Sequence, residues 1–410
     1  MVITLSKYKI KLSASQQFMI SILLVNAGNY FYNLVLGRWL GPEVFSNVAL
    51  LVTLLLMLSF LAMTIQLLSA KFIIELPIEK INSFKNKLFK FSFGIGILLT
   101  ISCVFFAKNI NELFHLNNPS AIYIFALGIP VYFMMSISRG LHQGKQEFAK
   151  LSQSYFMEMT GRIIVTFTLI GFTNISPTIA VAVGILVSFI IGLFPNQFSF
   201  KRIKTSHEIN SDDQRTILKF IIITLLYECN QIIINNSDIL IVKHYFNDIE
   251  SGLYASLALI GRVVYFITWM LIMLLLPKVI EAKKQGDDPK KILLKFLKYI
   301  IFITTGLVLI CFIFPQTVIN LLFGKAYISM SPLLCKYAIA TSLFALGNLF
   351  VYYFLSLSQY KPVVIAVFFG IAQLVILILF HNTLETVVHI QIGLMFIFLI
   401  VMLAWFKRNY

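Results

Sequence analysis

Residues 29–50 read NYFYNLVLGRWLGPEVFSNVAL, and this stretch indicates the fold. It contains the end of an apolar helix with a thin polar stripe, then the turn Gly-Arg-Trp-Leu-Gly-Pro, then the start of a second long apolar helix. Glycine and proline mark a helix boundary, because glycine accepts backbone angles that other residues avoid and proline cannot donate to a helical hydrogen bond. The pattern predicts a helical hairpin, and the rest of the chain repeats it with variations.

The composition is that of a membrane protein. Of the 410 residues, 59% are hydrophobic and 12% are charged, whereas soluble domains carry about 25% charged residues. Apolar runs of about eighteen residues or more recur, each long enough to cross a hydrocarbon core about 30 Å thick. The four cysteines lie within such runs without paired spacing, which indicates neither a disulfide framework nor a metal site. We therefore predict an all-α, polytopic membrane protein.

Twelve spans are predicted from the apolar runs and from the residues that end them. With the N-terminus in the cytoplasm, most of the 33 Lys and Arg residues fall in cytoplasmic loops and tails, as the positive-inside rule requires. Both termini are therefore expected in the cytoplasm. The net charge of +16 then reflects topology and attraction to anionic lipid rather than binding to nucleic acid. The predicted spans cover about residues 16–40, 43–70, 88–107, 119–139, 153–173, 177–194, 216–242, 252–277, 292–314, 331–357, 362–381 and 386–406.

The spans divide into two predicted lobes of six, residues 1–195 and 216–410, joined by a charged cytoplasmic linker at 196–215. The turn LGPEVFSNVALL after span one has a counterpart, FNDIESGLYASLAL, after span seven. Because each lobe has an even number of spans, both lobes enter the membrane in the same direction. We expect a parallel repeat about a pseudo-twofold axis along the membrane normal, with the substrate between the lobes.

Polar residues inside the predicted spans indicate a polar cavity. A charge at the bilayer centre costs roughly 2.5–3.5 kcal/mol on insertion scales, so such residues are expected to face protein or water. At about 100° per residue, Asn26, Asn29 and Asn33 lie within an arc of about 60° on span one. Hydrogen bonding between helices is the open alternative for these asparagines. The ionisable residues inside spans are Glu158, Arg162, Glu228, Asp238, Arg262 and Lys336.

The spacing of these residues suggests roles for several of them. Glu158 and Arg162, four residues apart, are expected to pair on one helix face, as a structural or a functional ion pair. Arg262 and Lys336 have no acidic residue within their own spans and are better candidates for binding an anion such as phosphate. Arg38 either contacts substrate or extends to the membrane interface. A second polar stripe, within an arc of about 80° on span seven, contains Glu228, Gln231, Asn235 and Asp238.

Motifs for several other classes are absent from the sequence. There is no Walker A sequence, Gly-rich nucleotide loop or HExxH motif, which excludes an ATP-driven pump contained in this one chain. We predict no cofactor. Coupling to an H⁺ or Na⁺ gradient through Glu158, Glu228 or Asp238, or to the membrane potential, stays open.

A family resemblance rests on residues 29–45 (NYFYNLVLGRWLGPEVF), on 138–148 (SRGLHQGKQEF) with 158–162 (EMTGR), and on 238–262 (DILIVKHYFNDIESGLYASLALIGR). These stretches resemble the polysaccharide biosynthesis flippases of the multidrug/oligosaccharidyl-lipid/polysaccharide (MOP) exporter superfamily. One departure is Ser46, where the family usually has the glycine that the second half has at Gly252.

The resemblance implies a twelve-helix transporter rather than an enzyme. It would move a polyprenyl-pyrophosphate-linked oligosaccharide, such as an O-antigen or capsule repeat unit, from the inner to the outer leaflet of a bacterial inner membrane by alternating access. Implied partners are membrane lipids, a glycan polymerase and glycosyltransferases. The resemblance places Arg38, Arg162 and Arg262 in a cationic cavity. With the residues chosen by spacing, the predicted substrate and translocation residues are Asn29, Asn33, Arg38, Glu158, Arg162, Asp238, Arg262 and Lys336.

Two other functions remain as alternatives. A multidrug or small-cation exporter of the same superfamily would have a cavity dominated by acidic and aromatic groups, whereas cations are at least as numerous inside these spans. A membrane glycosyltransferase or polymerase would need catalytic carboxylates at a water-exposed mouth, and the predicted outward loops are short.

Overall fold

The computed structural model describes residues 4–5, 8–9, 14–116, 119–195, 211–357 and 359–409. This part of the chain is almost entirely helical, as predicted, apart from two short antiparallel strands, β1 and β2, near the N-terminus. The elements in order are β1 (Thr4–Leu5), β2 (Tyr8–Lys9), α1 (Ala14–Glu75), α2 (Ile78–Phe105), α3 (Ala107–Leu113), α4 (Ser120–Gly144), α5 (Phe148–Phe172), α6 (Pro177–Gly192), α7 (Ser211–Tyr245), α8 (Asp248–Gln285), α9 (Pro289–Ile313), α10 (Pro315–Leu322), a 3₁₀ helix (Lys325–Met330), α11 (Ser331–Ser356), α12 (Lys361–Leu379) and α13 (Leu384–Asn409).

The polytopic membrane fold is confirmed. Within the described residues, eight helices are long and apolar enough to cross a membrane, and the apolar helix α6 is shorter. The helix α1 counts once among the eight although it corresponds to the first two predicted spans. The predicted spans five and eight correspond to α5 and α8, which are not among the eight. When α1 is counted as two spans and α5, α6 and α8 are included, the described helices correspond to the twelve predicted spans.

The opening hairpin forms around a glycine that no other residue replaces easily. Gly41 interrupts the helical geometry of α1 with φ of 72° and ψ of 168°, a region that is accessible almost only to glycine. Pro42 follows directly, and its fixed φ suits the first position of a new helix, where its missing N–H leaves no bond unmade. The sequence Gly-Pro therefore ends one helix and starts the next without a loop.

The chain forms two compact units, Met1–Val35 with Leu54–Glu228, and Leu36–Thr53 with Cys229–Tyr410. In each unit a short helix, α3 or α10, follows the third long helical segment. The predicted linker lies mostly outside the described residues, and the lobe limits drawn from the sequence stay a prediction.

The first unit contains a proline inside a membrane helix. Pro130 lies in the middle of α4 and cannot donate to the carbonyl of Ala126, four residues earlier. The hydroxyl of Thr100 on α2 donates to that carbonyl at 2.8 Å. Gly96, one turn before Thr100, lies against the backbone of Pro130, where a side chain would collide. The neighbouring helix α2 thus satisfies the carbonyl that Pro130 leaves without its helical donor. Such compensation allows a proline inside a membrane helix.

The second unit packs α11 against α8, α9, α12 and α13. It also contains the turn of the opening hairpin and the turn between α7 and α8. Ser46 donates to a carboxylate oxygen of Asp248 at 3.1 Å, and it accepts from the ammonium of Lys243 at 3.1 Å. Lys243 also forms an ion pair with Asp248. The hydroxyl of Ser46, which stands where the matching turn of the second half has Gly252, is therefore used in a polar contact between the two turns.

Candidate functional site

The first unit holds a buried cluster of charges, which we call the α4–α5 charge cluster and define as Arg139, Glu158 and Arg162. Their exposed fractions are 2%, 7% and 5%. Arg139 donates to Glu158 at 2.8 Å, and Arg162 lies 3.6 Å from the other oxygen of the same carboxylate. The expected pairing of Glu158 with Arg162 is confirmed, but the closer partner of Glu158 is Arg139.

The asparagine stripe of α1 meets this cluster at one point. The side-chain oxygen of Asn29 accepts from Arg162 at 2.5 Å. Asn33 donates to the backbone carbonyl of Asn29 within its own helix, and its side-chain oxygen is buried with no hydrogen-bond partner in the described part of the chain. Asn26 is exposed. The structure thus brings Asn29 together with Arg162, while Asn33 contributes an unpaired acceptor.

The sequence did not identify Arg139 as a buried residue. The predicted span four ends at residue 139, which puts this arginine at the cytoplasmic edge, but α4 continues to Gly144. Its side chain lies in the protein interior, with its guanidinium 3.9 Å from the ring centre of Tyr155. Two glycines on one face of α4 could have signalled the longer helix, because Gly140 and Gly144 lie against α1, where a side chain would collide.

The second unit holds a buried carboxylate, that of Asp238, which accepts hydrogen bonds from two tyrosine hydroxyl groups. Asp238 is 1% exposed, and one of its oxygens accepts from Tyr254 at 3.0 Å and from Tyr337 at 2.7 Å. Gln391 donates to the hydroxyl of Tyr254 at 3.3 Å. The other oxygen of Asp238 is buried without a partner among the described residues. The carboxylate is therefore only partly satisfied.

Arg262 lies on α8 beside the polar stripe of α7. It is 4% exposed and donates to the backbone oxygen of Asn235 at 2.6 Å and to the side chain of Asn236 at 3.1 Å. Its Nε has no hydrogen-bond partner in the part of the chain that the structure describes. Arg262 and Tyr337 line a crevice of about 30 Å³, which is room for a water molecule. An arginine held by neutral oxygens alone keeps its full charge available to an anion.

The other predicted residues of the second unit lie elsewhere. Gln231 of the α7 stripe donates to Asn348 and accepts from Tyr265, which is hydrogen bonding between helices. Lys336 does have an acidic partner, Glu385 on α13, at 2.5 Å, which the sequence of its own span could not reveal. The side chain of Lys336 is 37% exposed, so it is less buried than the arginines.

Arg38 is exposed at the end of the first helix of α1. It donates to the backbone carbonyl of Leu321 at 3.1 Å. Among the described residues, the structure thus places the predicted residues in two buried groups, one in each unit, and leaves Arg38 and Lys336 more accessible.

The fold and the buried charges define a polytopic membrane protein with charged groups in its interior. The chain belongs to a family of polysaccharide biosynthesis proteins, because the model of the family described as "Polysaccharide biosynthesis protein" matches residues 35–332. The solved structures that share its fold include the following two. One is an inward-facing multidrug resistance MATE family transporter, with a TM-score of 0.73 and 15% identity over 97% of this chain and 98% of that one. The other is the lipid II flippase MurJ in an inward closed conformation, with a TM-score of 0.74 and 17% identity over 95% and 87%.

A curated relative is an uncharacterized membrane protein of Methanocaldococcus jannaschii, 26% identical over 182 residues. The match spans 41% of this chain and 44% of that relative, so less than half of the relative's length is matched.

Proposed function

We propose that the protein is a flippase that moves a polyprenyl-pyrophosphate-linked oligosaccharide from the cytoplasmic to the outer leaflet of a bacterial inner membrane by alternating access, with both termini in the cytoplasm. The observation that carries the proposal is the state of two of the three arginines that are buried in the described part of the chain, Arg162 and Arg262. Each has an Nε without a hydrogen-bond partner among the described residues. Guanidinium groups suit the oxygens of a pyrophosphate, which they can contact with two parallel hydrogen bonds.

The charge balance of the α4–α5 charge cluster also favours an anionic substrate over a cationic one. Glu158 forms ion pairs with Arg139 at 2.8 Å and with Arg162 at 3.6 Å. One carboxylate between two arginines leaves this cluster with a positive charge, which would repel a cationic drug. The family match and the flippase named in the MurJ structure point in the same direction, whereas the MATE structure keeps a multidrug exporter as the alternative.

The headgroup explains why a polar interior is needed. A charged pyrophosphate with sugars is costly to move through hydrocarbon, so it would travel along buried polar groups while the polyprenyl chain stays in the bilayer. We propose no cofactor. The free oxygen of Asp238 is our candidate for coupling to an H⁺ or Na⁺ gradient, and the membrane potential is the other source.

The test is complementation in a strain that lacks its own oligosaccharide flippase. We expect the wild-type protein to restore surface glycan and the variants Arg162→Gln and Arg262→Gln to restore little of it at equal protein level. Arg215 is exposed on α7, and Arg215→Gln is the matched control that removes one arginine and should export normally. Normal export by both buried-site variants, or drug resistance without glycan export by the wild type, would contradict the proposal.

A further inference from the structure

Glu158 is bound much more completely to Arg139 than to Arg162. The bond from Arg139 is 2.8 Å long, whereas the distance from Arg162 is 3.6 Å, which exceeds an ordinary hydrogen bond between charged groups. The closer pair joins α4 to α5, and the longer one lies within α5. The spacing of four residues within α5 therefore brings Arg162 near the carboxylate of Glu158, but the main hydrogen bond of that carboxylate is with Arg139.

Several contacts fix the guanidinium group of Arg139. Its Nε donates to the hydroxyl of Ser154 at 2.9 Å, and one Nη donates to the backbone oxygen of the same residue at 3.1 Å. Ser154 in turn donates to the carbonyl of Gly192 at 2.6 Å, one of the carbonyls that a helix end leaves unpaired. The ring of Tyr155 covers the guanidinium. These contacts hold Arg139 in the orientation that meets Glu158.

The charges of the cluster do not balance. Two arginines and one glutamate leave one positive charge, and all three side chains are at least nine-tenths buried. Because the shorter bond of Glu158 is with Arg139 and the ion pair with Arg162 is longer, most of the excess lies on Arg162. Its remaining contacts are the neutral oxygen of Asn29 and the face of Tyr32 at 5.6 Å, and its Nε is unpaired in the described part of the chain. A buried charge without a full counter-charge in a membrane span marks a functional site, and a ligand of opposite sign would balance it.

We infer that Arg139 is a positioning residue which holds the carboxylate of Glu158 at 3.6 Å from Arg162 and prevents a closer approach, so that Arg162 binds the diphosphate of a prenyl-linked substrate. This inference rests on the proposed function for the nature of the substrate. Without Arg139, the carboxylate would turn to Arg162 as its nearest cation and neutralise it. Arg139 therefore controls anion binding although it does not itself touch the anion.

The experiment compares binding of geranylgeranyl diphosphate to purified protein in nanodiscs, with geranylgeraniol and inorganic pyrophosphate as the two control ligands. We expect the wild type to bind the prenyl diphosphate and Arg139→Gln to bind it about tenfold more weakly, because Glu158 then neutralises Arg162, the donor to the diphosphate. The double variant Arg139→Gln/Glu158→Gln should recover binding, because no carboxylate is left to capture Arg162. Glu158→Gln alone should bind at least as tightly as the wild type.

Recovery in the double variant separates positioning from a merely structural role, since a structural defect at Arg139 would persist when Glu158 is also changed. Thermal unfolding checks that each variant is folded, and Glu158→Gln keeps the inference testable if Arg139→Gln does not fold. Wild-type binding by Arg139→Gln, equally weak binding by the single and double variants, weaker binding by Glu158→Gln, or no binding by the wild type would each overturn the inference.

Glycan export measured in cells distinguishes the two proposals. If binding follows the expected pattern but the wild type exports no glycan, the proposed function fails and the role of Arg139 stands. If the wild type exports glycan and the double variant does not recover binding, the role of Arg139 fails alone.

Discussion

Gly252 of α8 lies directly against the backbone carbonyl of Pro42 in α1. The two residues belong to the two turns that match each other in sequence, so the counterparts are in contact as well as alike. An added side chain at Gly252 would collide with backbone atoms, which cannot move aside as a flexible side chain can. Glycine is therefore required at position 252 because the two turns approach each other so closely.

Replacing this glycine tests the contact. We expect Gly252→Ala to destabilise the protein by roughly 1–3 kcal/mol, because overpacking forces the backbone to shift. Gly306→Ala on α9 is the control, since a side chain there meets nothing within 4 Å and alanine favours a helix over glycine. Thermal unfolding in detergent, followed by tryptophan fluorescence, gives both values. Equal stability of the two variants would show that the turns do not approach this closely.

The polar contact beside it makes a second prediction. Lys243 is 2% exposed and forms an ion pair with Asp248, whose side chain is 30% exposed. Asp248→Asn should lower stability on the order of 2–3 kcal/mol, because it leaves a buried ammonium without its counter-charge. The double variant Lys243→Met/Asp248→Asn should be more stable than Asp248→Asn alone. Additive effects in this double-mutant cycle would show that the pair is not coupled.

A carboxylate in the loop between α4 and α5 leads to a prediction of how the stability of the protein depends on pH. Glu147, between α4 and α5, accepts a hydrogen bond from His142 and another from Lys150 at 3.2 Å. The bond with His142, more than any other contact, lowers the pKa of Glu147 below its ordinary value of 4.5. A group with a lowered pKa stabilises the folded state above its unfolded pKa, and this contribution disappears as the pH falls through the folded pKa.

We therefore expect the stability difference between wild type and Glu147→Gln to be largest above pH 4.5 and to shrink as the pH is lowered further. Unfolding temperatures at several pH values provide the measurement. Lys150→Gln, which removes the weaker partner, should give a smaller difference with the same trend. A difference that grows in acid would have the wrong sign for this explanation.

Arg262 and Lys336, which the sequence predicted equally as anion-binding residues, differ in their burial. Arg262 is buried among neutral oxygens, whereas Lys336 is partly exposed and paired with Glu385. We expect Arg262→Gln to reduce glycan export at least tenfold, in the range seen when a charged partner of a ligand is removed. Lys336→Gln should reduce it less, since its charge is already balanced. The opposite order in the complementation assay would contradict this ranking.

The sequence predicted the helical class and the span count well, because hydropathy follows directly from what a bilayer tolerates. It also predicted the break at Gly41 and Pro42, since these residue types have few other uses next to each other in a helix. The pairing of Glu158 with Arg162 followed from helix periodicity alone.

The partners of those charges could not be predicted in the same way. Arg139 reaches Glu158 from another helix, and Glu385 reaches Lys336 from α13. Such contacts depend on how helices pack, and no spacing within one span encodes them. The use of Ser46 by Lys243 and Asp248 is a similar case, because the sequence comparison showed only a missing glycine.

The most direct test of the central claim is transport by purified protein in liposomes that contain a fluorescent polyprenyl-pyrophosphate-linked oligosaccharide. Loss of fluorescence to a membrane-impermeant quencher measures the fraction of this lipid in the outer leaflet. We predict that wild-type protein exposes the inner-leaflet lipid to the quencher at a rate well above protein-free liposomes, and that Arg262→Gln does not. Equal rates with wild-type protein and without protein would contradict the proposed flippase function.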